Sequence, residues 1–187
     1  MKARTYRQAL DDLLLPEGFS RDGPDDWIRT RGDVREIVNL QRGSLGAGVT
    51  VNLEQYDLET DRIMRAIPSK RGLFAPPISY RIGALMDGYD HWWRNNPDGP
   101  AELKEAVEIY GLPHFDRVRS LQDQAANWYG RRSERLWGPS LPQLAVTLYR
   151  MGELSEARQV IMTQPPKTAI PTLVEKVMDV RRWLGCD

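Results

Sequence analysis

Val34-Arg35-Glu36-Ile37-Val38-Asn39-Leu40-Gln41-Arg42 and, across Gly43–Gly48, Val49-Thr50-Val51-Asn52-Leu53-Glu54-Gln55-Tyr56-Asp57 alternate apolar and polar side chains. A period of two marks a β-strand with one buried face. Val34, Val38 and Leu40 share one face, interrupted by the charge of Glu36, and Arg35, Ile37, Asn39 and Gln41 share the other. In the second strand Val49, Val51 and Leu53 oppose Thr50, Asn52 and Glu54. Setting Arg42 opposite Val49 puts Leu40 beside Val51 and Val38 beside Leu53. The same register puts Asn39 beside Asn52 and Gln41 beside Thr50 on the reverse face. A slip of one residue would mix the faces, so this register is favoured.

The pattern extends outward in both directions. Gly18–Arg21 and Asp26–Arg31 read as further strands, separated by the turns Asp22-Gly23-Pro24 and Arg31-Gly32-Asp33. Tyr6, Ala9, Leu10, Leu13 and Leu14 recur at helical spacing before Pro16 and Gly18. Beyond the sheet, a short helix over Asp61–Ile67 and a strand over Ile78–Leu85 are expected. The second half is helical. Its stripes are Leu103/Ala106/Val107/Tyr110, stopped at Gly111; Phe115/Val118/Leu121/Ala125/Trp128, stopped near Gly130; Leu141/Leu144/Ala145/Leu148, capped by Ser140 and stopped at Gly152; Leu154 to about Met162; and Leu173/Val174/Val177/Val180/Leu184. Strands followed by consecutive helices define an α+β fold. The expected architecture is an antiparallel meander of four to five strands with an N-terminal helix and a helical C-terminal half packed on one face. It reads as one domain over 1–187, mainly sheet to 85 and helical from 99.

Composition narrows the function classes. A chain of 187 residues buries a core without disulfides or metals. Zero formal net charge gives no global attraction to nucleic acid or anionic membrane. The only cysteine is Cys186, so no intramolecular disulfide forms. No apolar leader or membrane-spanning run is visible, and the expectation is a cytoplasmic protein without membrane association.

The chemical motifs are sparse. Gly43-Ser44-Leu45-Gly46-Ala47-Gly48 lacks the helix and the Lys-Ser/Thr pair of a phosphate loop and reads as a hairpin connection. His91 lies near Asp87 and Asp90, but no second ligand cluster accompanies it; His114 reads as a capping or surface residue. No serine occupies a nucleophile elbow, and Asp11-Asp12 and Asp25-Asp26 read as solvated acids rather than dyads. No catalytic residue, metal ligand or cofactor site is assigned. Arg117, Arg119, Trp128, Arg131, Arg132, Arg135 and Trp137 form a basic and aromatic group, yet Asp116, Asp123 and Glu134 intersperse it, so nucleic acid is not the expected partner. Residues 144–157 resemble the turn of one tetratricopeptide-type helix pair, with Gly152 and Ala157 spaced for a tight crossing. Arg81-Ile82-Gly83-Ala84-Leu85-Met86-Asp87-Gly88-Tyr89-Asp90-His91-Trp92-Trp93 is dense in aromatics. Its paired tryptophans either seal the sheet–helix junction or anchor a partner.

Leu13-Leu14-Leu15-Pro16-Glu17-Gly18-Phe19, Trp27, Val38-Asn39-Leu40-Gln41, Val49-Thr50-Val51-Asn52-Leu53 and Arg81-Ile82-Gly83 with Asp90-His91-Trp92-Trp93 follow one another in an order that resembles the bacterial domain-of-unknown-function family DUF4304. The resemblance spans roughly the first two-thirds of the chain. It implies a small bacterial α+β domain and brings no activity or catalytic residue with it. Gly43 departs from the hydroxyl residue associated with that place.

The expected function is a non-enzymatic module that binds another protein, in the manner of immunity proteins that neutralise toxins. The competing reading is a small-ligand binder or enzyme using the polar sheet face. Either way the candidate binding residues are Asn39, Gln41, Asn52, Arg81, Trp92 and Trp93. Adjacent amides on a sheet must meet water, a ligand or one another.

Overall fold

A computed structural model describes residues 5–44, 48–70, 72–73, 78–94, 96–134, 140–163 and 171–186. The chain forms two compact units that interleave along the sequence: Met1–Tyr56 with Pro77–Arg117, and Asp57–Pro76 with Val118–Asp187.

The first unit holds a five-stranded antiparallel sheet in the order β1-β2-β3-β4-β5, formed by β1 (Ser20–Arg21), β2 (Asp26–Arg31), β3 (Val34–Arg42), β4 (Val49–Asp57) and β5 (Ile78–Arg81). The fold is therefore α+β, with the central strands where the alternation puts them. Asp26 pairs with Asn39 and Trp27 with Val38; Asn52 pairs with Arg81 and Leu53 with Tyr80. At the β3–β4 hairpin the Gly43 N–H donates to the Gly48 carbonyl at 2.9 Å. Asn52 also reaches Asn39 at 3.1 Å. Both contacts are those of a register with Arg42 opposite Val49.

The apolar face is the core. Trp27, Val38, Leu40, Val51 and Leu53 pack with Leu10 and Leu14 of α1 (Tyr6–Leu14), Leu103 of α4 (Gly99–Ala106), Val107 and Phe115. α1 starts on a capping box in which Thr5 and Gln8 satisfy each other's backbone donors, and its predicted apolar stripe is buried throughout. Leu40 is 2% exposed. Leu40→Ala should therefore lower stability by about 3 kcal/mol. Urea unfolding reads this directly, and a loss below about 0.5 kcal/mol would place Leu40 outside the core.

Several boundaries differ from the sequence expectation: β1 is confined to Ser20–Arg21, and the helix expected over Asp61–Ile67 spans Leu58–Ala66. The fifth strand stops at Arg81 rather than Leu85, and Ile82–Met86 forms the short helix α3. Gly83 explains the turn, because a Cβ there would lie 2.3 Å from the Tyr89 carbonyl and 2.6 Å from the His91 N–H. The backbone of 89–91 can fold back over α3 only at a residue without a side chain. Next, Gly111 does not end its helix. α4 widens into a π-helical stretch, Val107–Gly111, and continues as α5 (Leu112–Arg117). Gly111 instead sits against Leu53, and Tyr110 is exposed. Lastly, the Phe115–Trp128 stripe divides between α5 and α6 (Leu121–Glu134), which runs through Gly130.

The second unit contains α2 (Leu58–Ala66), α6, α7 (Ser140–Arg150), α8 (Leu154–Ile161) and α9 (Pro171–Trp183). α7 is its centre, buried continuously from Leu141 to Leu148 and packed against α2, α6, α8 and α9. The α7–α8 pair is the hairpin expected from the sequence, but Gly152 plays another part in it. Its φ is +84° and nothing lies within 4 Å of where a Cβ would be, so it serves the turn and not a tight crossing. Ala157 of α8 is fully buried. Among the described residues no helix is long and apolar enough to cross a membrane.

Candidate functional site

The outer face of the sheet carries a continuous polar chain. Asn39 Nδ2 donates to Asp26 at 2.6 Å. Asn52 Nδ2 donates to Asn39 Oδ1 at 3.1 Å and to Gln41 Oε1 at 2.9 Å. Arg81, opposite Asn52 on β5, donates to Gln41 Oε1 at 3.2 Å and to Asp90 at 2.6 Å. The Trp92 indole N–H donates to the same Asp90 oxygen at 3.0 Å, and the Arg81 guanidinium lies 5.3 Å from the Trp92 ring centroid. Five of the six predicted residues are thus in one network: Asn39, Gln41, Asn52, Arg81 and Trp92. All five are half-buried, which leaves part of each open to a ligand.

Trp93 is the sixth, and the fold places it elsewhere. Its backbone pairs with Val49 in both directions, Val49 N–H to Trp93 O at 2.9 Å and Trp93 N–H to Val49 O at 2.8 Å. Residues paired across a ladder point to the same face, so Trp93 follows Val49 into the core and is 4% exposed. Trp92 and Arg94, one residue to each side, stand on the outer face. Gly48 makes this approach possible: a Cβ there would lie 2.5 Å from the Trp93 carbonyl oxygen, and its φ of +126° suits only glycine. Thr50 also departs from the polar face as pictured from the sequence. It is fully buried and its hydroxyl has no partner among the described residues.

Supporting contacts hold the segment 87–94 against the sheet. The Tyr89 N–H donates to the Asp87 carboxylate at 3.0 Å, closing a tight turn at Gly88. The buried Tyr6 hydroxyl donates to the Arg94 carbonyl at 2.5 Å, tying α1 to the far end. Burial pushes this phenol above its ordinary value, and the Glu102 charge adds to that. Asp90 is held below the usual carboxylate range, chiefly by the Arg81 hydrogen bond and then by Trp92. The Arg81–Asp90 contact is therefore complete above that range and weakens as pH falls through the lowered value. Glu54, further along β4, moves the other way: burial raises it, and nearby Asp26 adds to the shift.

Of the acids expected to be solvated, Asp11 and Asp25 are ion-paired, and Asp26 is held by a neutral amide. Asp11 takes Arg21 and the Trp27 indole, Asp25 takes Arg7 and Arg42, and Asp26 takes Asn39. Arginine contacts lower Asp11 and Asp25. His114, expected as a capping or surface residue, is buried and packs edge-on to Tyr80 at 4.7 Å. His91 stacks on Trp93 at 4.3 Å. Of the basic and aromatic group, Trp128 is a core residue; the side chains of Arg131, Arg132, Arg135 and Trp137 lie outside the described residues. Among the described residues no group of three or more His, Cys, Asp or Glu side chains is placed to hold a metal ion.

Sequence reasoning missed Asp90 as the joint of the network, Tyr89 as an exposed aromatic beside it (77% exposed), and Arg42 and Arg94 at its rim. One signal was available for Asp90. Asp87 and Asp90 are the two acids that follow Arg81 once Ile82–Met86 is read as a helical turn and not as strand. Arg94 was legible by alternation from Trp92, given the turn of Trp93 into the core.

No curated protein and no solved structure matches the chain significantly. A family model described as Domain of unknown function (DUF4304) matches residues 10–116, more than half of the chain and nearly all of the first unit. The chain therefore belongs to the DUF4304 family.

Proposed function

We propose that the chain is a non-enzymatic protein-binding module whose partner docks on the outer face of the first unit's sheet. The observation that carries this reading is the network Asp26–Asn39–Asn52–Gln41–Arg81–Asp90–Trp92, half-exposed and bordered by exposed Tyr89. Its internal bonds hold an arginine and an indole in fixed positions before any partner arrives. Preorganised Arg and Trp side chains are the groups that dominate binding energy at protein interfaces. A toxin-neutralising, immunity-like protein of a bacterial cytoplasm is the specific form of this reading.

The competing small-ligand reading has its own observation. A cleft of about 770 Å³ at the edge of the network is lined by Gln41, Arg42, Gly43, Ser44, Asp90, Trp92 and Arg94. Its volume is within the range of ligand sites, but three of its residues are charged and it opens broadly on the surface.

Affinity capture from a native lysate, with mass spectrometry of both proteins and small molecules, separates the two. The expected result is a protein retained by the wild type and lost by Asn52→Ala, Arg81→Ala and Trp92→Ala variants that keep the wild-type circular dichroism and melting temperature. Retention of the same protein by all three variants would move the site off this face. Recovery of a bound small molecule instead of a protein would favour the competing reading.

A further inference from the structure

The cleft beside the network has an excess of unused hydrogen-bond donors. Gln41 Oε1 accepts from Asn52 and from Arg81, while its amide N–H groups have no partner among the described residues. The Ser44 hydroxyl is likewise unpaired and exposed. The Arg94 guanidinium is exposed and has no counter-ion among the described residues; only its backbone is engaged. Arg42 touches Asp25 through one nitrogen at 3.3 Å, but Asp25 is already held by Arg7 at 2.9 and 3.1 Å. The single acid of the cleft, Asp90, is neutralised by Arg81. Two guanidinium groups, an amide and a hydroxyl therefore surround a space whose only carboxylate is in use. The Trp92 ring supplies an apolar wall.

We propose that this cleft binds a carboxylate-rich segment of the protein partner, with Arg42 and Arg94 as the charge-reading residues. The inference rests on the protein-binding reading above and names the chemistry of the partner. Guanidinium groups pair with carboxylates through two parallel N–H donors, and such pairs supply specificity and speed of encounter. A polypeptide fits better than a nucleic acid. One indole offers no succession of stacking platforms, and the chain as a whole has no net positive charge. The floor is rigid because the Val49–Trp93 bonds join the hairpin to the Trp92–Arg94 segment, so binding needs little reordering.

Fluorescence anisotropy with a fluorescein-labelled peptide of alternating glutamate and leucine tests this on the full chain. Saturable binding that weakens as salt rises is expected, with none for the matching glutamine–leucine peptide. The Arg42→Gln/Arg94→Gln double variant, both side chains being exposed, should keep the wild-type melting temperature and bind at least about tenfold more weakly. Arg42→Lys/Arg94→Lys should recover part of the affinity, since charge returns without the planar fork. No saturable binding, equal affinity of the glutamine double variant, or tighter binding of a labelled single-stranded oligonucleotide would each overturn the proposal. The two readings fail separately. If a captured partner is lost with Arg81→Ala and Trp92→Ala but kept by the Arg42→Gln/Arg94→Gln variant, the interface stands and the acidic-segment inference falls. If the capture survives all these variants, the interface reading itself fails.

Discussion

Glu36→Ala is expected to lower the stability of the first unit by about 3–5 kcal/mol, measured by urea unfolding followed through tryptophan fluorescence. Glu36 is fully buried on the core face of β3, between Val34 and Val38. Each carboxylate oxygen has its own guanidinium: Arg29 Nε donates to Oε2 at 2.8 Å and Arg31 Nε to Oε1 at 2.9 Å. Both arginines are fixed by further contacts. Arg29 lies 4.3 Å from the Phe19 ring centroid and donates to the Glu17 carbonyl at 2.6 Å, and Arg31 reaches Asp116 at 2.7 Å. Removing the carboxylate leaves two largely buried cations facing each other with only the more exposed carboxylates of Glu17 and Asp116 nearby. Replacing the whole triad with apolar residues, Glu36→Leu with Arg29→Met and Arg31→Leu, should recover most of the loss, because no desolvated charge then remains. A single variant within about 0.5 kcal/mol of wild type would show that the triad does not hold the sheet.

Asp57→Ala should cost about the same, about 3–5 kcal/mol, in the second unit. Asp57 is the N-cap of α2 and accepts from the Thr60 N–H at 2.7 Å. It also accepts from Gln124 of α6 at 3.1 Å and forms an ion pair with Arg150 at the end of α7. Arg150 donates to the Thr60 hydroxyl at 2.8 Å, closing the cluster. With 5% of the Asp57 side chain and 13% of the Arg150 side chain exposed, solvent does little to screen the pair. One carboxylate thus caps a helix and joins three helices. Asp57→Asn keeps a capping oxygen and loses the charge, so its loss should fall between wild type and alanine. In a double-mutant cycle, Asp57→Ala with Arg150→Met should destabilise by less than the sum of the single changes. Strict additivity would mean that the two side chains act independently.

These two clusters show why the candidate site was more legible than the buried ionic supports of each unit. Asn39, Gln41 and Asn52 lie on neighbouring strands joined by one short loop, so strand alternation and one register placed them together. The partners of Glu36 and Asp57 carry no such local mark. Glu36 looked like an interruption of an apolar face, since the arginines that neutralise it sit on β2 and read, by themselves, as ordinary surface charges. Arg150 and Asp57 are 93 positions apart, and no spacing rule connects them.

Local periodicity in this sequence is sufficient for β2, β3 and β4, for their antiparallel order, and for the buried stripe of α1. Each follows from side-chain direction repeating every two or every 3.6 residues. Periodicity has no access to choices made by distant backbone. Trp92 and Trp93 are adjacent and chemically identical, yet one belongs to the outer network and the other to the core, because the hydrogen bonds between Val49 and Trp93 set the face of each. Gly111 reads as a helix stop, but Leu53 packs against it and the helix runs on. Arg81 ends a strand instead of continuing it because Gly83 lets the backbone of 89–91 close over α3. In each case the outcome depends on which groups the completed fold brings within contact distance, a property of the tertiary structure and not of any short stretch of chain.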